Sequence, residues 1–163
     1  MSRTLVLACA VLLLGALAAG CGGSERLEYE RDLAKVGEVV DDSLDALPKD
    51  DSQTIGPEQV RTIADDLREA ADQLEDLDPP DDARRAQRRL ERGLRGVAGA
   101  FDELADELVD ARTDAAKAEL FVQFATDEDV NAAFDDLIAS QEAFAAEGYR
   151  VFRNDDAAAP AAT

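Results

Sequence analysis

The chain has 163 residues, of which 37 are acidic and 17 basic, and its formal net charge is −20. This excess of negative charge excludes nucleic-acid binding, because such recognition depends on neutralising phosphates with lysine and arginine. The chain has no histidine, the residue on which catalytic triads, most general bases and the Glu-x-x-His sites of di-iron bundles depend. Alanine, leucine, acidic residues and arginine dominate, while aromatic residues make up only 5%. This balance predicts an all-α protein of one domain.

Residues 1–20 have the features of a signal peptide. Arg3 provides a basic start, an apolar run follows from Leu5 to Leu17, and small residues occupy positions 18–20. This order is typical of a secretory leader with a processing site. The run is shorter than the roughly 20 apolar residues that a permanent membrane-spanning helix needs. We therefore expect residues 1–20 to be removed and the protein to be exported.

Cys21 directly follows the predicted processing site. The sequence Ala-Ala-Gly-Cys at positions 18–21 resembles the lipobox of bacterial lipoproteins, in which the cysteine becomes the acylated mature N-terminus. The resemblance implies that Cys21 carries lipid, palmitate included, with residues 21–24 as acylated cysteine and tether. It also implies a lipid-anchored location on the extracytoplasmic face of the cell membrane. The alternative is an ordinary cleaved signal peptide with an unmodified cysteine.

Two amphipathic helices are predicted after the tether. The first runs from about Glu25 to Leu47 and ends at Pro48, which cannot continue a helix. The second begins at Gly56-Pro57, with proline at its first position, and stops before Pro79-Pro80. Apolar residues recur at steps of three and four along both helices. They are Tyr29, Leu33, Val36, Val40, Leu44 and Leu47 in the first helix, and Val60, Ile63, Leu67, Ala70, Leu74 and Leu77 in the second.

The third predicted helix starts at about Pro80 and reaches Ala111 or beyond. Its apolar positions are Leu90, Leu94, Val97, Phe101, Leu104 and Leu108. Three glycines at positions 93, 96 and 99 interrupt it, and they serve either the close approach of a neighbouring backbone or a kink. A straight continuation to Ala125 would be about 69 Å long, about twice the length of its partners. We therefore expect a bend or break between Arg112 and Glu119.

The last predicted helix follows a cap at Thr126–Asp129, where acids suit the positive end of the helix dipole. Its apolar face consists of Val130, Phe134, Leu137, Ile138 and Phe144, and it is closed by Tyr149, Val151 and Phe152. Phe121 and Phe124 are also expected to pack. Residues 154–163 are charged and then rich in alanine and proline, and are expected to form a frayed tail.

Four amphipathic segments with short connections predict an antiparallel four-helix bundle over residues 25–153. The order of a lipobox, two helices, a Pro-Pro turn at positions 79–80 and a long helix rich in arginine and leucine resembles small lipoproteins of high-GC Gram-positive bacteria. That resemblance implies an envelope location and a helical bundle, and supplies no activity.

Carboxylates are the main candidates for chemistry. The adjacent acids Asp41-Asp42, Asp65-Asp66 and Asp135-Asp136 point about 100° apart on a helix, so we expect a solvated surface rather than a converging site. Asp127, Asp129 and Asn131 have the spacing of the first ligands of an EF-hand loop. The motif fails because glycine and glutamate are missing at its sixth and twelfth positions. No catalytic, cofactor or metal site is predicted, and an enzyme is not expected.

The sharpest charged feature is an arginine cluster at the start of the third helix. Cations near the positive end of a helix dipole are unfavourable unless something opposes them. One hypothesis is that the cluster contacts lipid phosphates or an acidic partner near the membrane. The alternative is pairing with Glu75, Asp78, Asp81, Asp82 and Glu91 of the same end. The arginine cluster comprises Arg84, Arg85, Arg88, Arg89, Arg92 and Arg95.

Two functions are compatible with these features. The first is a lipid-anchored helical module that binds or scaffolds another envelope component through its helix faces, with an envelope protein as partner. The second is a carrier or sensor of a small ligand with an apolar cavity inside the bundle. A packed core would favour the first function.

Overall fold

A computed structural model describes residues 22–45 and 55–149. Within these ranges the chain is all-α and has no strand, which confirms the predicted fold class. The helices are α1 (Gly22–Asp45), α2 (Pro57–Glu75), α3 (Arg84–Asp110), α4 (Asp114–Thr126) and α5 (Glu128–Ala146). None of these helices is long and apolar enough to cross a membrane. The predicted signal peptide, Cys21, the side chains of Leu44 and Leu47, Val151, Phe152 and the tail lie outside the described residues.

The described ranges contain five helices where four were predicted, because the third segment is divided. α3 ends where Ala111 leaves the helical conformation (φ −73°, ψ 107°). Thr113 is extended (φ −130°, ψ 151°), and its hydroxyl accepts a hydrogen bond from the backbone N–H of Ala116 at 3.1 Å. Threonine at this position is a helix cap, so a new helix starts at Asp114. The break therefore lies at residues 111–113, at the edge of the expected range.

Helix starts are set by local chemistry. The backbone N–H of Gly56 donates to the side chain of Gln59 at 3.0 Å, and Pro57 occupies the first helical position of α2. After the Pro-Pro turn, the carbonyl of Pro80 accepts hydrogen bonds from Ala83 and Arg84. Because residues 81–83 form this turn, α3 begins later than the predicted Pro80. α1 begins earlier than predicted, at Gly22, so the predicted tether residues 22–24 form its first turn.

α3 lies at the centre and packs against α2, α4 and α5, while α1 packs against α2. Arg61 near the start of α2 pairs with Asp106 near the end of α3 at 2.8 Å. Glu75 at the end of α2 pairs with Arg95 at 2.5 Å, so the two helices run antiparallel. α5 also runs antiparallel to α3. Tyr149, which follows the end of α5, donates a hydrogen bond to the side chain of Asp82, which precedes the start of α3, at 2.6 Å.

The predicted core positions of α2 and α3 are buried, except that Leu77 lies just beyond α2 and is half-buried. Tyr29, Leu33 and Val36 of α1 are also buried. The prediction for α5 is wrong at two positions. Val130 and Phe144 are buried, but Phe134 is 37% exposed and Ile138 is 55% exposed.

Near the glycines, α5 faces α3 with Leu137, which was predicted, and with Ala133, which was not. A Cβ atom added to Gly93 would lie 2.6 Å from Cδ2 of Leu137, and one added to Gly96 would lie 2.8 Å from Cβ of Ala133. These glycines therefore allow α5 to approach α3 closely. In this arrangement Phe134 and Ile138 lie to the side of the contact between the two helices. α3 remains continuous past both glycines, so close approach rather than a kink explains them.

Candidate functional site

The arginine cluster is divided between paired and unpaired members. Four of the six arginines lie within 4.0 Å of a carboxylate. The pairs are Arg84 with Asp81 at 3.3 Å, Arg89 with Asp136 at 3.3 Å, Arg92 with Asp136 at 2.6 Å, and Arg95 with Asp72 at 3.1 Å and Glu75 at 2.5 Å. Only Asp81 and Glu75 were among the expected partners. α2 and α5 contribute the others.

Asp136 of α5 is the strongest anionic partner of the cluster. Arg92 donates to both of its oxygens, at 2.6 Å and 3.1 Å, which is the bidentate geometry of an arginine–carboxylate pair. These hydrogen bonds lower the pKa of the Asp136 carboxyl and raise the pKa of Arg92. The hydrogen bonds with Glu75 and Asp72 likewise raise the pKa of Arg95. The cluster is thus bound to two neighbouring helices rather than displayed as six free cations.

Arg85 and Arg88 are the exceptions. Both side chains are exposed, and neither forms an ion pair within the described ranges. They project from α3 on the side opposite its buried residues. Within the described ranges, these are the two members of the arginine cluster that remain available to a partner.

An acidic groove of about 590 Å³ lies beside the start of α1 and the α2–α3 turn. Carboxylates dominate its charged lining. Its acidic members are Glu25, Glu28, Asp32, Asp76, Asp78 and Asp81. No three of the acids in the described part of the chain are grouped closely enough to hold a metal ion. The groove therefore gives this end a negative surface next to the arginines.

A buried hydrogen-bond network lies beneath this end. The hydroxyl of Tyr29 donates to Gln87 Oε1 at 2.8 Å. The amide nitrogen of Gln87 donates to the carbonyl of Leu74 at 2.6 Å and to Glu91 Oε1 at 3.1 Å. Burial raises the pKa of the Tyr29 hydroxyl. One glutamine side chain thereby links α1, α2 and α3.

Three aromatic rings join the start of α1 to the end of α5. Tyr29, Phe144 and Tyr149 have ring centroids 5.8 to 6.5 Å apart. The guanidinium of Arg26 lies 4.1 Å from the centroid of the Tyr149 ring, and it also donates to the carbonyl of Glu147 at 2.7 Å. Burial, and then the hydrogen bond to Asp82, raise the pKa of Tyr149. The first turns of α1 are therefore held firmly against the body.

The sequence analysis did not predict this network or the partners of the arginines. Tyr29 was assigned to the apolar positions of the first helix, and its hydroxyl group at such a position was the signal of a buried hydrogen bond. Asp136 gave no such signal, because its pairing depends on how α5 is rotated against α3.

Among the other candidate acids, Asp65, Asp66 and Asp127 have structural partners. Asp66 accepts a hydrogen bond from Ser43 at 2.8 Å, whereas Asp65 pairs with Arg68 at 2.9 Å, so this acidic pair diverges as expected. Asp127 caps α5 by accepting hydrogen bonds from the N–H groups of Asp129 and Val130. The calcium-like spacing at residues 127–131 is thus part of a helix cap.

Comparisons of the chain with protein-family models, with curated proteins and with solved structures found no match. A functional proposal therefore depends on the surfaces and the core of this chain.

Proposed function

We propose that the protein is a lipid-anchored, extracytoplasmic lipoprotein whose helical body binds or scaffolds another component of the cell envelope. In this proposal α1, α2, α3 and α5 act as an antiparallel four-helix bundle, and α4 lies against its side. The observation that carries the proposal is a single apolar core, shielded from solvent, beneath strongly charged helix faces. The buried apolar side chains of the described ranges are at most 6% exposed, and no buried side-chain polar atom there lacks a hydrogen-bond partner.

The alternative function as a ligand carrier has less support. The acidic groove is open to solvent and dominated by carboxylates. Carrier sites for small apolar molecules are instead enclosed and mostly apolar. Helix faces are therefore the surfaces through which this body would act.

The fixed start of α1 supports the anchor. α1 begins at Gly22, immediately after Cys21, and Arg26 and Tyr29 attach its first turns to the rest of the body. A lipid on Cys21 would therefore hold the body through a docked helix rather than a long linker. The acidic groove and the start of α3 would lie near this anchor.

Direct adsorption of the arginine cluster to lipid phosphates has little support. Each basic residue near an anionic membrane contributes about 1 kcal/mol. Within the arginine cluster, only Arg85 and Arg88 have no acidic partner in the described ranges. The six carboxylates of the acidic groove would repel the same headgroups. A protein partner is therefore favoured over the bilayer itself.

Metabolic labelling of the full chain with an alkyne analogue of palmitate tests the anchor. We expect the wild-type protein to carry the label and to sediment with membranes, and the C21S variant to lose the label. An intact chain that retains residues 1–20 and stays in the cytoplasm would refute the location. Crosslinking in intact cells, with C21S as the matched control, then tests whether an anchored body contacts an envelope protein.

A further inference from the structure

The outward face of α3 carries a line of residues that we call the α3 stripe. Successive members are three or four residues apart, so they form one line along the helix. Seven of the eight are exposed, and Gly99 is half-exposed. Three arginines come first, two glycines follow, and three acids complete the line. The α3 stripe consists of Arg85, Arg88, Arg92, Gly96, Gly99, Glu103, Glu107 and Asp110.

The positions of the α3 stripe are symmetric about the point between residues 97 and 98. The charged residues on one side of this point are basic, and those on the other side are acidic. Its members form four pairs, and the two members of each pair lie at equal distances on either side of that point. The pairs are Arg85 with Asp110, Arg88 with Glu107, Arg92 with Glu103, and Gly96 with Gly99. A twofold axis through this point would place each arginine opposite an acid of a second, antiparallel copy.

The charges of the stripe are largely unused within the chain. Arg85, Arg88, Glu103, Glu107 and Asp110 form no ion pair in the described part of the structure. The neighbouring acids of α3 do form pairs, since Asp102 and Asp106 bind arginines of α2. Arg92 is the exception, because it pairs with Asp136 of α5. The other charged members of the stripe remain free for a second molecule.

The centre of the stripe is open at Gly99, whereas Gly96 is already covered by Ala133 of α5. A Cβ atom added to Gly99 would meet no atom within 4 Å. A groove of about 410 Å³ lies between this part of α3 and the junction of α4 and α5. Glycine inside a helix costs about 1 kcal/mol relative to alanine, and packing against α5 explains Gly93 and Gly96 but not Gly99. Close contact with another helix at this point would explain Gly99.

We propose that the α3 stripe docks a second copy of this chain in a twofold symmetric dimer with antiparallel α3 helices. Such an interface is isologous, because the same surface of each copy supplies both halves. The two α1 starts then lie at opposite ends of the dimer. If Cys21 is lipidated as proposed, two anchors would hold the dimer with α3 parallel to the membrane. The pairing itself does not depend on the lipid.

Charge reversal at the unpaired positions provides the test. We would measure sedimentation velocity of the full chain over a range of concentrations, in a neutral detergent of matched density and about 0.1 M salt. We expect wild type to dimerise. R85E/R88E and E107R/D110R should each weaken the dimer about tenfold or more, since every outer pair then joins like charges.

Restoration makes the test specific. An equimolar mixture of R85E/R88E and E107R/D110R should form a heterodimer, and the combined variant R85E/R88E/E107R/D110R should dimerise again. R31E/K35E is the control for R85E/R88E, because it makes the same change in charge on the exposed side of α1. It should dimerise as wild type. Circular dichroism of each variant checks the fold, which none of these exposed positions is expected to disturb.

The outcomes decide the proposal. A wild-type chain that stays monomeric at all concentrations would overturn it. So would reversal variants that dimerise as wild type, or a mixture that stays monomeric. G99Q provides an independent variant, because it should leave the monomer folded and still weaken the dimer.

Discussion

Gln87 makes three hydrogen bonds that connect three helices, so its replacement should cost more than the loss of one contact. In Q87L, the Tyr29 hydroxyl loses its acceptor and the carbonyl of Leu74 loses this donor. An unsatisfied buried polar group costs about 1–3 kcal/mol. We expect the free energy of unfolding in urea to fall by about 2 kcal/mol.

A double-mutant cycle with Y29F isolates the central hydrogen bond. Because Y29F removes the hydroxyl that Q87L leaves without an acceptor, the double variant should be less destabilised than the two single effects predict together. Additive effects would mean that the hydroxyl and the amide do not cooperate in the native core.

Two glycines of the same helix should respond in opposite directions to alanine. In G93A, the new methyl group would lie 2.6 Å from Leu137 Cδ2 and 3.1 Å from the carbonyl of Ala133. Overpacking of this kind costs about 1–3 kcal/mol, more than the gain in helix propensity. In G99A the methyl group meets nothing within 4 Å, so stability should rise by about 0.5–1 kcal/mol. Thermal unfolding at low protein concentration compares the variants, and a shift of the same sign would contradict the packing of α5 on Gly93.

At the scale of elements, the caps of α4 and α5 should differ in their effect on the whole fold. Thr113 caps α4, which has no fully buried residue, whereas Asp127 caps α5, which buries Val130, Ser140 and Phe144. Loss of a cap costs about 0.5–2 kcal/mol of helix stability. We expect T113A to increase hydrogen exchange mainly within α4, and D127A to lower the global free energy of unfolding. Equal global effects would show that α4 is part of the cooperative core.

The helices α2 and α3 could be predicted because their apolar residues alternate at steps of three and four, and because proline marks the start of α2. The break after Asp110 was expected from length alone, and its position is set by Thr113, whose capping role the sequence analysis did not recognise. Phe134 and Ile138 were misassigned because periodicity defines an apolar stripe but not its centre. The arginine partner Asp136 could not be predicted, since the rotation between two helices depends on packing at Gly93 and Gly96.

At the scale of the whole molecule, the net charge of −20 keeps the chain soluble and opposes self-association at long range. Charge is distributed unevenly, however. The α3 stripe is basic in one half and acidic in the other, and the acidic groove lies near its basic half. At contact distances this local pattern, rather than the net charge, determines which surfaces attract.

Alkaline pH should destabilise the fold through its two tyrosines, the only ones in the chain. Burial raises the pKa of Tyr29 and of Tyr149, so the folded state keeps both protons at a pH where the unfolded chain has lost them. Their stabilising contribution is complete below pH about 10 and is lost as the pH rises above that value towards the folded-state pKa. For each tyrosine the free energy of unfolding should fall by up to about 1.4 kcal/mol per pH unit.

Urea unfolding of wild type and Y29F at pH about 8 and above about 10 separates this effect from other alkaline titrations. Y29F should be less stable at the lower pH, because Gln87 loses its donor, yet it should lose less stability as the pH rises. Deprotonation of lysines affects both proteins equally and cancels in the comparison. Parallel losses in the two proteins would mean that the Tyr29 hydroxyl is not buried in the native state, and the link between α1 and α3 would then be wrong.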